Sequence, residues 1–97
     1  MLNKEWRLVD TRYNNEMPPL RYHDLDGVVP STNIRIKVKY QHKAELLECK
    51  VMFVDKAKLF YEVCISSYPA LAHLHYLRYG DHQRILRTNI LEILNNK

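Results

Sequence analysis

The chain has 97 residues, enough for one domain and one modest core without a disulfide or metal staple. Hydrophobic residues make up 46% and charged residues 27%, which excludes a disordered chain, and two glycines with four prolines exclude collagen-like or low-complexity organisation. A formal charge of +4 and a pI of 9.1 admit an anionic partner without demanding one.

The opening residues, MLNKEWRLVD, carry Lys4, Glu5 and Arg7 and no apolar run, so they do not read as a secretory signal. No stretch approaches the roughly 18 apolar residues of a membrane helix, and no membrane partner is inferred. Two cysteines without a CxxC spacing fit reduced thiols. The expected compartment is the cytoplasm, or the cytosol of a host cell for a viral protein.

In chain order, residues 5–9 form a short strand anchored by Trp6 and Leu8. Residues 11–32 follow as a long loop without a clear period, in which Pro18, Pro19 and Pro30 bar regular structure. Loops of this length in small domains often serve a function, so 11–32 is a candidate binding segment. Residues 33–41 alternate strictly: Ile34, Ile36, Val38 and Tyr40 on one face, Arg35, Lys37, Lys39 and Gln41 on the other. Residues 45–54 and 58–66 are rich in β-formers and extend this strand into a three-stranded antiparallel meander.

Pairing like with like sets an expected register. Val38 faces Leu47, Ile36 faces Cys49, and Lys37 faces Glu48. In the next hairpin Phe53 faces Leu59, Val51 faces Tyr61, and Lys50 faces Glu62. Met52 and Phe60 then lie on the outer face, and Cys49 and Cys64 point to opposite faces, so they do not bridge. After Pro69 the period changes to that of helices. One is expected over 69–79, capped by Gly80, and a second over 82–96 with Leu86, Ile90, Ile93 and Leu94 inward and Leu91 outward. The expected fold is therefore α+β in a single domain spanning 1–97: a short N-terminal strand and long loop, the meander, and two C-terminal helices packed on the sheet.

Motifs for catalysis are absent. There is no glycine-rich phosphate loop, nucleophile elbow or HExxH. His73 and His75 are two apart and on a helix would not share a face, so no metal site is assigned. Both cysteines fall in strands, where buried structural thiols are usual. No catalytic residue, cofactor or small-molecule substrate is inferred.

Two functional classes remain in front. A small non-enzymatic protein-interaction module, an adaptor or an inhibitor that occludes a partner surface, would use Arg12, Tyr13, Arg21, Tyr22, Met52, Phe60 and Leu91 on a protein partner or a second copy. A nucleic-acid-binding accessory protein would use Lys39, Lys43, Arg78, Tyr79, Arg84 and Arg87, with arginine on phosphate and tyrosine on bases. In size and pI the chain also resembles the RelE-type toxins, which implies a metal-independent ribonuclease; that family places helices where this chain carries Pro18 and Pro19. The deciding feature between the first two is the charged face of 33–41. Glu48 beside Lys37 and Glu62 beside Lys50 largely compensate it, leaving Lys39 and Lys43 free, and this favours the protein-binding module; Lys37 and Lys39 uncompensated beside Arg35 would reverse the order.

Overall fold

The computed structural model describes residues 1–13 and 27–94. Its strands are β1 (Arg7–Leu8), β2 (Asn33–Tyr40), β3 (Lys43–Val54), β4 (Phe60–Ile65), β5 (His82–Leu86) and β6 (Glu92–Ile93). Two single-turn 3-10 segments, Thr11–Tyr13 and Arg87–Asn89, and one short helix, α1 (Ala72–His75), complete the elements. The strands run antiparallel in the order β1-β2-β3-β4-β5, and β6 returns to pair with β2. One edge of β2 is thus covered by β3. Its other edge is shared by β1 at Val38–Lys39 and β6 at Ile34–Arg35. The sheet curls into a nearly closed barrel.

The alternation of β2 explains the core. Ile34, Ile36 and Val38 are fully buried and meet Leu47, Cys49 and Val51 of β3, Tyr61, Val63 and Ile65 of β4, and Ile85 of β5. Each large aliphatic side chain removed from water stabilises the fold by about 1.5–3 kcal/mol. Trp6, Val28, Leu77 and Ile90 complete this core from outside strands β2–β5.

The fold is mostly β, which corrects the expected α+β class and its two C-terminal helices. Residues 82–86 form β5 instead of a helix, pairing Tyr61 with Ile85, Glu62 with Arg84 and Phe60 with Leu86. The helical period of Leu86, Ile90, Ile93 and Leu94 is outweighed by what the sheet supplies at long range: a fifth strand buries Ile85 against β4, and β6 covers the edge of β2. The 3-10 turn at Arg87–Asn89 reverses the chain between them, which buries Leu91 where a helix would have exposed it. In 69–79 only Ala72–His75 is helical. Gly80 has a left-handed φ of 86°, as a cap would, but it serves the turn into β5, with its N–H on the Ile65 carbonyl.

Both hairpin registers also differ from expectation, by two residues each. Arg35 faces Glu48, Lys37 faces Leu46, and Lys39 faces Ala44. Val51 faces Val63, not Tyr61. Parity survives a two-residue slip, so the inner face is the expected one while the outer pairs change. The tight β2–β3 turn, Gln41-His42 with Gln41 at φ 53°, sets the first shift. A bulge between Val51 and Phe53 alters the second hairpin further: Phe53 pairs with Glu62 and turns outward beside Met52.

The 3-10 segments clamp the two ends of the described chain together. The Thr11 hydroxyl donates to the Thr88 carbonyl, Thr88 Oγ1 donates to Asp10, and Asn89 Nδ2 donates to the Val9 carbonyl. The Arg12 guanidinium beside Asp10 holds that carboxyl below its usual range. Asn89 Oδ1 also accepts from the Leu86 N–H, at 2.8 Å.

Candidate functional surfaces

The outer face of β1 and β2 carries the clearest electrostatic anomaly. Arg7 stands directly opposite Lys39, and Lys37 follows two residues along the same face. Like charges in direct cross-strand register are destabilising by about 0.2–1 kcal/mol. Their neighbours across β3 are Leu46 and Ala44, not acids. The acids are used elsewhere: Arg35 binds Glu92 at 2.6 Å and Glu48 at 3.8 Å, and Glu62 binds Arg84 at 3.0 Å. Among the described residues, Arg7, Lys37, Lys39 and Lys43 have no salt-bridge partner. The expected Lys37–Glu48 compensation is therefore corrected.

At the end of this strip lies a shallow cleft of ≈180 Å³ lined by Asn3, Glu5, Trp6, Tyr40, Lys43, His73, Leu74 and Tyr76. Strand alternation places it there: Trp6 and Tyr40 immediately adjoin Arg7 and Lys39 but project to the other face. Trp6 and Tyr40 rings lie 6.0 Å apart. Lys43 ends the β2–β3 hairpin opposite Tyr40.

A dyad of buried His75 and partly exposed Glu45 supports the cleft wall, since Trp6 packs on the His75 ring. His75 is fully buried, and its Nε2 lies 2.8 Å from Glu45 Oε1. Its Nδ1 accepts the Leu77 N–H at 3.1 Å, so in the neutral ring Nε2 carries the proton and donates to Glu45. Glu45 also accepts the Ala70 and Leu71 N–H groups at 2.6 and 3.0 Å. Burial pushes the Glu45 carboxyl up, but these bonds outweigh it and hold the group below its ordinary value. With both ring nitrogens committed, His75 fixes α1 against β3. Trp6 packs edge-on against it at 5.3 Å.

A second surface is apolar. Met52, Phe53, Leu59 and Leu86 are about half exposed. Phe53 and Phe60 rings lie 6.2 Å apart, and the Arg84 guanidinium covers Phe60 at 4.4 Å. Tyr68 and Tyr79 form a third feature, an exposed stack at 4.5 Å.

The structure gathers the sequence-derived candidates only in part. Met52 and Phe60 share the apolar surface, while Leu91 is buried and leaves it. Arg12 is paired with Asp10, and Tyr13 lies in the first 3-10 segment. Arg21 and Tyr22, like residues 14–26 of the candidate binding loop, lie outside the described residues. Lys39 and Lys43 flank the β2–β3 turn, whereas Arg84 is on β5, Arg87 follows it, and Arg78 and Tyr79 sit in the turn before it. Arg7 and the cleft aromatics were missed; the signal for Arg7 was the cross-strand register, which the sequence leaves open. Burial pushes the Cys49 thiol up to about 12, with Cys64 and Glu48 adding to it. Both thiols are free.

Among the described residues no group of three or more His, Cys, Asp or Glu side chains could hold a metal ion, and no helix is long and apolar enough to cross a membrane. Comparison with protein-family models, with curated proteins and with solved structures returns no match.

Proposed function

We propose that the protein is a nucleic-acid-binding accessory protein that holds the phosphate backbone on Arg7, Lys37, Lys39 and Lys43. The observation that carries this reading is the Arg7–Lys39 pair with Lys37 beside it, none of which has a salt-bridge partner among the described residues. A fold spends stability on such a pair, and a bound polyanion offsets the cost by displacing condensed counterions. Four phosphate contacts on a single strand give a slope near −3 in log K against log salt, at about −0.7 per contact. Affinity then falls roughly fiftyfold between 50 and 200 mM salt. Fluorescence anisotropy with single- and double-stranded RNA and DNA measures this directly. Lys37→Glu/Lys39→Glu removes the binding if the strip is the site. Binding unchanged by that variant, or flat with salt, refutes it.

The bulge favours a second reading, a protein-contact surface. It turns the consecutive apolar residues Met52 and Phe53 both outward, beside Leu59, Phe60 and Leu86. Contiguous exposed apolar side chains of this kind mark partner surfaces. A stoichiometric partner or self-association, insensitive to moderate salt and lost in Phe53→Ser, is the expected behaviour. Sedimentation of the wild type across concentration, with this variant as control, tests self-association.

A further inference from the structure

The cleft beside the strip has features that a phosphate-binding face alone does not use. Its volume of ≈180 Å³ is below the roughly 300–1,000 Å³ of pockets that take a whole drug-sized ligand. It suits one flat ring system. Three aromatic rings line it: Trp6 at its base, nearly buried, with Tyr40 and the half-exposed Tyr76. Lys43 supplies a cation at the rim, and Glu5 and His73 supply polar groups. Asn3 is already spent, since its amide donates to the Leu74 carbonyl and accepts from the Glu5 N–H.

Tyr76 adds an independent sign. It closes α1 with φ 72°, a left-handed conformation that a bulky side chain rarely adopts. Its N–H is held by the Ala72 carbonyl, and its neighbours His75 and Leu77 are both fully buried. The strained residue between two buried anchors presents an exposed aromatic ring to the cleft. Strain of this kind concentrates at ligand-binding positions.

We infer that this cleft takes one unpaired nucleobase, stacked on the exposed ring of Tyr76 beside Tyr40, with the nearly buried Trp6 forming the wall behind it, while its flanking phosphates lie on Lys43 and Lys39. The inference rests on the strip being a nucleic-acid surface and deepens it, by making the preferred ligand single-stranded. Trp6 and Tyr40 are the sequence neighbours of Arg7 and Lys39 on the opposite face, so a nucleic-acid strand on the strip reaches the cleft by rounding the end of β1 and β2. A duplex keeps its bases stacked inside and cannot place one in the cleft without extruding it.

Trp6 is the only tryptophan in the chain, so in the folded protein its emission reports from the cleft wall. The experiment titrates the protein with a short oligodeoxycytidylate and with an abasic oligomer of the same length, at low salt. Anisotropy gives the affinity and Trp6 emission gives the occupancy. The base-bearing strand should bind about tenfold more tightly, the worth of one base stack, and should alter Trp6 emission. Tyr76→Ala should erase that difference while leaving the abasic strand bound as before. Equal binding of both strands with unchanged Trp6 emission overturns the cleft and leaves the strip standing. If neither strand binds, the strip itself fails and the cleft reading falls with it. Circular dichroism of Tyr76→Ala guards against misfolding. If that variant is unfolded, Tyr76→Phe should retain the base preference and Lys43→Glu should reduce it; failure of both expectations refutes the inference.

Discussion

Removing the Glu45 carboxylate should cost about 2–4 kcal/mol of folding stability. Glu45 accepts three hydrogen bonds, from Ala70 N–H, Leu71 N–H and His75 Nε2. In Glu45→Ala the two backbone donors lie near the surface and regain water, so their loss is about 1 kcal/mol together. His75 has no such recourse, since its side chain is fully buried. A buried donor left without an acceptor costs about 1–3 kcal/mol. For a domain of this size each kcal/mol shifts Tm by about 4–8 °C, so a fall of roughly 8–32 °C is expected. Glu45→Gln retains an acceptor for His75 and should lose about half as much. Urea unfolding followed by Trp6 emission is the assay, because Trp6 packs on the His75 ring. The dependence on pH has a definite sign. Glu45 is held below its ordinary value in the fold, so its contribution is complete above the unfolded carboxyl value of about 4.3 and is lost as pH falls through the folded value. The gap between wild type and Glu45→Ala should be widest near neutrality and close on acidification. A variant within 0.5 kcal/mol of wild type at pH 7 would show that the dyad does not hold α1 in place.

Leu91→Ala should destabilise the fold by about 2–4 kcal/mol in chemical denaturation, because Leu91 is buried between the 3-10 turn and β6; a surface helix would make that change nearly silent. Lys39→Glu alone should raise stability slightly, by up to about 1 kcal/mol, as it converts the Arg7–Lys39 repulsion to attraction, while it weakens nucleic-acid binding. Loss of both stability and binding would mean that Lys39 has a packing role. Alkylation of the Cys49 thiol, buried and pushed up to about 12, should proceed only through unfolding and accelerate with denaturant, as mass spectrometry would show; rapid labelling in the native state would contradict its burial.

Alternation made β2 legible, and with it one wall of the core, since Ile34, Ile36 and Val38 have no second way to leave water together. It could not give the register. Slips of two residues keep every apolar side chain inside, so Lys37 facing Leu46 and Lys37 facing Glu48 bury the same core and differ only in surface charge. The β5 segment HQRIL has too few residues for its period to separate strand from helix, and only the presence of β4 beside it decides. The bulge at Met52 and the left-handed Tyr76 carry no sequence signal, since neither involves glycine. Trp6 was readable as an anchor but not as part of a cleft, because Tyr40 and Tyr76 join it from segments brought together only by the fold.

The clamp between the 3-10 segments joins residues 77 to 80 positions apart. During synthesis the β2–β4 meander can pair as soon as it clears the ribosome, whereas the edge of β2 at Ile34–Arg35 waits for β6. At about 5–20 residues per second the interval between the end of β2 and the arrival of β6 is roughly 3–10 s. A nascent chain therefore presents an unpaired strand edge for seconds before closure. That interval, rather than the finished barrel, is when a chaperone or another nascent copy has its best access to the chain.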